Sequence, residues 1–131
     1  MGFYRYEGEK EEGIDPDIYA MLSPTVPDDR VVMDEREIQI RLVLAMVNEA
    51  ARALDADIVQ RSSDVDLAMI MGTGFPPFRG GLLRFADAIH LRVVLHHLEE
   101  LEGRHGARFA PADGIRRLAH GDRSFYQSFA G

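Results

Sequence analysis

The 131-residue sequence contains no cysteine. That excludes a disulfide framework, a thiol nucleophile and any zinc site built on thiolates. No apolar run approaches the roughly 18 residues that a membrane-spanning helix needs. The opening ten residues, Met1 to Lys10, are aromatic and charged, unlike the apolar core of a secretory signal. Tyr6 stands where a myristoylation motif after Met1-Gly2 demands Ser or Thr. A soluble, cytoplasmic protein is therefore expected. Basic residues are also in short supply: 15 Lys and Arg against 22 Asp and Glu give a net charge of −7. Nucleic acid and anionic membranes draw their affinity from Lys and Arg, so neither is an expected partner.

What is present fits one ordinary globular domain, with a hydrophobic fraction of 46% and a charged fraction of 28%. Residues 1–13 read as a polar lead-in arm carrying an aromatic patch, Phe3, Tyr4 and Tyr6, and residues 14–131 read as a single helical domain. The acidic residues crowd into positions 7–37. Arg79, Arg84, Arg92, Arg104, Arg108, Arg116 and Arg117 fall later. The later arginines mark either solvated helix faces or a surface for an acidic partner.

Asp15-Pro16 gives an N-cap and a proline at the first helical position, opening a short helix to about Leu22. Pro24, Pro27 and Asp28-Asp29 end it in a loop. The strongest helix signal runs from Glu35 to Leu54, with Asp34 as cap and Glu37 as the capping-box carboxylate. Its apolar residues wrap most of the circumference, which predicts a central helix buried on several sides. A second capping-box pattern, Ser63 to Asp66, predicts a helix over 64–71 closed by Gly72. Gly72 to Gly81 holds four glycines and two prolines and demands a specific turn, with Phe75 and Phe78 pinning it to the core. Helices are expected again over 82–89 and 90–102. A last short one starts at Pro111, and an aromatic tail of Phe125, Tyr126 and Phe129 follows. No segment shows the period-2 alternation of a strand, so the class is all-α.

Gly72-Thr73-Gly74 invites comparison with a nucleotide loop, but it follows a helix and Pro77 takes the place of the third glycine. A structural turn is the reading. The histidines, His90, His96, His97, His105 and His120, lack the i, i+4 pairing and the carboxylate spacing of a metal site. Asn48 and Glu49 fall mid-helix, where a polar group must be paired. Asn48 is expected to satisfy the Gly-rich loop, and Glu49 to pair with Arg52, Arg79 or Arg84. The sharper alternative makes Glu49 a catalytic carboxylate of raised pKa. Asp87 is a second expected buried polar residue, capping or pairing with Arg79 or Arg84.

The segments Met46-Val47-Asn48-Glu49-Ala50-Ala51-Arg52, Asp64-Val65-Asp66-Leu67-Ala68-Met69 and Gly72-Thr73-Gly74-Phe75-Pro76-Pro77-Phe78-Arg79-Gly80-Gly81 resemble one family. They look like the second C-terminal repeat of the 3-hydroxyacyl-CoA dehydrogenase part of multifunctional fatty-acid oxidation enzymes. Leu83 to Asp87, Phe109-Ala110-Pro111 and Ser124-Phe125-Tyr126 fit the same pattern. Gly2 to Tyr6 resembles the end of the preceding repeat.

The resemblance implies an all-α helical bundle of the 6-phosphogluconate dehydrogenase C-terminal-like kind. It also implies a parent enzyme that oxidises L-3-hydroxyacyl-CoA with NAD. The family's catalytic His-Glu pair and dinucleotide glycines lie in a Rossmann domain and have no counterpart here. No catalytic, cofactor-binding or metal-ligating residue is therefore assigned, and the isolated chain is expected to be inactive. Ile40-Arg41 occupies the place of an Asn-Arg pair in the first repeat. Ala88-Ile89-His90 stands where the family tends to place a glycine and an apolar residue after the Asp.

The resemblance implies as partners the Rossmann domain or first helical repeat of the parent, or a second copy, with acyl-CoA possible at the interface. The structural or interface candidates are Asn48, Glu49, Gly72, Gly74, Phe75, Pro76, Pro77, Phe78, Arg79, Gly80, Gly81, Arg84 and Asp87. A free-standing acyl-CoA-binding module using Arg79 and Arg84, or a self-associating helical module, is the alternative.

Overall fold

The computed structural model describes residues 3–22 and 32–130. The loop expected at Pro24, Pro27 and Asp28-Asp29 lies outside them. The chain divides into two compact units, residues 1–33 and 34–131.

In the first unit, strands β1 (Tyr4–Glu7) and β2 (Lys10–Ile14) form an antiparallel hairpin. This corrects the expectation that no strand is present. Tyr4 and Tyr6 are two apart on β1, a short period-2 signal. Gly8 opens the two-residue turn at φ +65°, a conformation that glycine adopts without strain. Helix α1 (Asp17–Leu22) starts where expected, and the Asp15 carboxylate accepts a hydrogen bond from the Asp17 N–H at 3.1 Å.

The second unit is all-helical: α2 (Glu35–Asp55), α3 (Ser62–Thr73), α4 (Leu82–Ala88), α5 (Leu91–His105), α6 (Asp113–His120) and α7 (Phe125–Ser128). Short 3₁₀ turns cover Pro77–Arg79 and Ala107–Phe109. The most enclosed helix is the seven-residue α4, whose Leu82, Leu83 and Ala86 have no solvent-exposed surface. Helices α2, α3, α5 and α7 all pack on it, and α6 fills the space between α2 and α5. The long helix α2 was expected at the centre. It buries Leu44, Val47, Ala51 and Leu54 but leaves Ile38 and Leu42 exposed. Apolar side chains thus remain on its outer face.

Local capping is weaker than the sequence pattern suggests. Asp34 occupies the N-cap position of α2, but its side chain accepts no capping hydrogen bond. Helix α3 begins one residue before Ser63 and runs through Gly72 to Thr73. It ends on Gly74, which is left-handed at φ +71°. The capping box that is present lies elsewhere, between Ser124 and Gln127 at the start of α7.

Among the described residues no helix is long and apolar enough to cross a membrane. Nor, among them, is any group of three His, Asp or Glu side chains placed to hold a metal ion.

Candidate packing surface

Three helices of the second unit are capped by carboxylates from elsewhere in the chain. Asp66 of α3 is 3% exposed and accepts hydrogen bonds from the N–H groups of Leu83 (2.6 Å) and Arg84 (3.1 Å) at the start of α4. Its second oxygen also takes the Tyr126 hydroxyl at 2.8 Å. Asp87 of α4 accepts from the N–H groups of Phe125 (2.8 Å) and Tyr126 (3.1 Å), the first residues of α7. Asp55, the last residue of α2, accepts from the Gly114 N–H at 2.7 Å and pairs with Arg117 at 2.9 Å. Each carboxylate satisfies donors that a helix start leaves unpaired and meets the positive end of the helix dipole. Burial raises the Asp87 carboxyl above its ordinary range, outweighing the hydrogen bonds from Phe125 and Tyr126 and the nearby Arg84 charge. Burial, joined by the Asp66 hydrogen bond, raises the Tyr126 phenol.

The candidates from the Gly-rich stretch divide in two. Gly81 is buried at φ +116°, and a Cβ there would overlap the Asp66 carboxylate, so both backbone conformation and space require glycine. Arg84 lays its guanidinium 3.5 Å from the Tyr126 ring centroid, a cation–π contact. Gly81, Arg84 and Asp87 therefore join Asp66 and Tyr126 around α4.

The rest of the stretch faces outward. Gly72 lies in the last turn of α3, and Gly74, Pro76, Pro77 and Gly80 are exposed. Phe75 is half-buried, 6.4 Å from the Phe85 ring. Phe78 was expected to pin the loop to the core; it is 81% exposed, with Arg79 stacked between it and Phe85.

Asn48 and Glu49 also separate. Asn48 is 1% exposed, donating to the Ala110 carbonyl at 2.9 Å and accepting from the Ala112 N–H at 2.8 Å. It holds the segment leading into α6, not the Gly-rich loop. Glu49 is exposed and paired with Arg52, so it lacks the burial a catalytic carboxylate of raised pKa would have. Asp87 pairs with the backbone of α7, while Arg79 and Arg84 hold aromatic rings.

The surface that sequence reasoning missed lies on α2 and α3. Helix α3 buries Ser62, Val65 and Asp66, and exposes Leu67 (61%) and Met71 (79%). Ser62 Oγ donates to the Phe125 carbonyl at 3.1 Å. A surface helix ordinarily turns its apolar stripe inward. On α3 two polar side chains, Ser62 and Asp66, point in, while two large apolar ones, Leu67 and Met71, point out. Beside it a groove of about 580 Å³ runs between α2 and α3, lined mainly by Ala45, Met46, Ala50, Ala53, Val59, Val65, Ala68 and Met69. The signal available in the sequence was the spread of apolar residues round both helices.

Residues 38–129 match the family model described as 3-hydroxyacyl-CoA dehydrogenase, C-terminal domain. The chain is 40% identical over 125 residues to the fatty acid oxidation complex subunit alpha of Vibrio parahaemolyticus, covering 95% of this chain and 17% of that subunit. It is 39% identical over 127 residues to the subunit of the same name from Vibrio vulnificus (97% and 17% covered). Against the one from Acinetobacter baumannii it is 38% identical over 130 residues (96% and 18%). The chain thus spans less than a fifth of the length of these curated relatives. The match takes in nearly all of the helical unit, and the chain belongs to the 3-hydroxyacyl-CoA dehydrogenase C-terminal domain family.

Proposed function

We propose that this chain serves as the C-terminal helical domain of an NAD-dependent L-3-hydroxyacyl-CoA dehydrogenase of fatty-acid β-oxidation, acting in the cytoplasm. It has no turnover of its own. It packs against the catalytic part or the preceding helical repeat and stiffens the wall of the acyl-CoA cleft. The observation that carries this reading is the family match over residues 38–129, in relatives whose remaining length lies outside the match.

The residues present do not fit a resident dinucleotide. The Gly-rich stretch joins two helices, with no preceding strand to form a phosphate turn. The starts of α4, α6 and α7, where a pyrophosphate would seek N–H groups, already hold Asp66, Asp55 and Asp87. Nor, among the described residues, is there an assembled acid–base pair. His97 Nδ1 lies 3.2 Å from Glu100, but on the outer face of α5 with solvent on both side chains. The arginines of the rival acyl-CoA-binding reading, Arg79 and Arg84, lie on aromatic rings.

Incubating the purified chain with NAD and 3-hydroxyacyl-CoA substrates tests the proposal: no NADH is expected, and NADH formed by this chain overturns it. Calorimetric titration with acyl-CoA is expected to give no saturable heat. Binding abolished by Arg79→Ala would instead establish the acyl-CoA module.

A further inference from the structure

We infer that the α2–α3 face is the docking surface of this domain, and that its occupant is the apolar ridge of a helix from the part of the subunit outside this chain. This rests on the reading above and names the surface that it uses.

The first support is the inversion of α3. Ser62 and Asp66 are turned inward and satisfied by α4 and α7, which forces Leu67, Ala68 and Met71 outward. Adjacent exposed apolar side chains of this kind mark an interaction surface. The second support is shape. Ala50 and Ala53 of α2 and Ala68 of α3 are small, so an approaching helix can seat its side chains close to both backbones. Leu42 lies one turn before Met46 on α2 and is 62% exposed, extending the apolar row past the groove.

Charge narrows the occupant. The two carboxylates lining the groove, Glu49 and Asp64, are neutralised by Arg52 and by Arg61, the latter at 2.9 Å. They leave little field to draw a basic or acidic peptide, so the groove selects an uncharged ridge. Length names the source. In the relatives this segment is 17% of the polypeptide, and the remainder meets it at the high effective concentration of a covalent link.

The test is a chimera in which this chain replaces the matching 125 residues of the Vibrio parahaemolyticus alpha subunit. Ala53→Glu and Ala68→Glu are made in the chimera and in the isolated chain, with His96→Glu on the exposed face of α5 as control. In the chimera the groove variants are expected to lower kcat/KM for 3-hydroxyacyl-CoA at least tenfold and to expose the amides of α2 and α3 to hydrogen exchange. The same variants leave the isolated chain's unfolding midpoint unchanged. Groove variants indistinguishable from His96→Glu in an active chimera overturn this inference and leave the proposed function standing. An unmodified chimera that forms no NADH, while the original subunit does, overturns the packing reading itself. A dimer of the isolated chain that dissociates on Ala68→Glu replaces the occupant with a second copy and overturns the assignment made here.

Discussion

Helices α3 and α5 are of similar length, 12 and 15 residues, and both pack on α4, yet they bury opposite chemistry. Helix α5 follows the ordinary rule: Leu91, Val94, Leu95, Leu98 and Leu101 are buried, and Arg92, His96, Glu99 and Glu100 face water. Helix α3 buries a serine, a valine and an aspartate and exposes a leucine and a methionine. The difference shows two ways to anchor a helix. One uses apolar area; the other uses a few hydrogen bonds to neighbouring helices, leaving Leu67 and Met71 exposed.

The comparison breaks most visibly at the residues that anchor each helix. Leu98→Ala on α5 is expected to lower the unfolding free energy by about 3 kcal/mol through lost burial and a residual cavity. Asp66→Ala on α3 is expected to match it, at about 3 kcal/mol, because the donors of Leu83, Arg84 and Tyr126 lose a charged acceptor. Urea unfolding of both variants checks this. If Asp66→Ala loses under 1 kcal/mol, the polar anchor of α3 is not what holds it.

A smaller effect sharpens the polar side of the comparison. The folded state raises the Asp87 pKa, so it holds that proton more tightly than the unfolded chain. The stability this group contributes is full below the unfolded carboxyl pKa and is lost as pH rises through the raised folded value. Urea midpoints measured across that acidic window are expected to fall with rising pH in the wild type and to fall less in Asp87→Asn. Equal slopes would remove Asp87 as the source.

The smallest effect lies at the start of α5. His90 adopts φ +68°, which strains a residue carrying a Cβ, at the turn where the family resemblance implied glycine. His90→Gly is expected to raise stability by up to about 1 kcal/mol, read as a higher Tm; a lower Tm would show that the imidazole contributes contacts outweighing the strain.

These contrasts also mark what the sequence makes legible. The span of α2, the start of α1 just after Asp15-Pro16, the turn at Gly74 to Gly81 and the helical class all follow from local periodicity and from glycine and proline placement. The caps do not. Asp66 reaches donors 17 and 18 residues away, Asp87 reaches 38 and 39, and Asp55 reaches 59. No window of the chain holds both partners. Asn48 was legible as a buried polar residue, but its partners 62 and 64 residues away were not, and the Gly-rich loop was the nearer candidate. The hairpin escaped because a four-residue strand with every side chain exposed has almost no hydrophobic pattern to read. The apolar excess of α2 was visible, but periodicity alone does not say which side of it the rest of the chain covers.

The most direct measurement is the unfolding free energy of the isolated chain carrying Leu67→Glu and Met71→Glu together. Because both side chains face solvent, the double variant is expected to unfold within about 0.5 kcal/mol of the wild type. A loss approaching that of Leu98→Ala would contradict the account, since the outer face of α3 would then be core of this chain and not a surface kept for a partner.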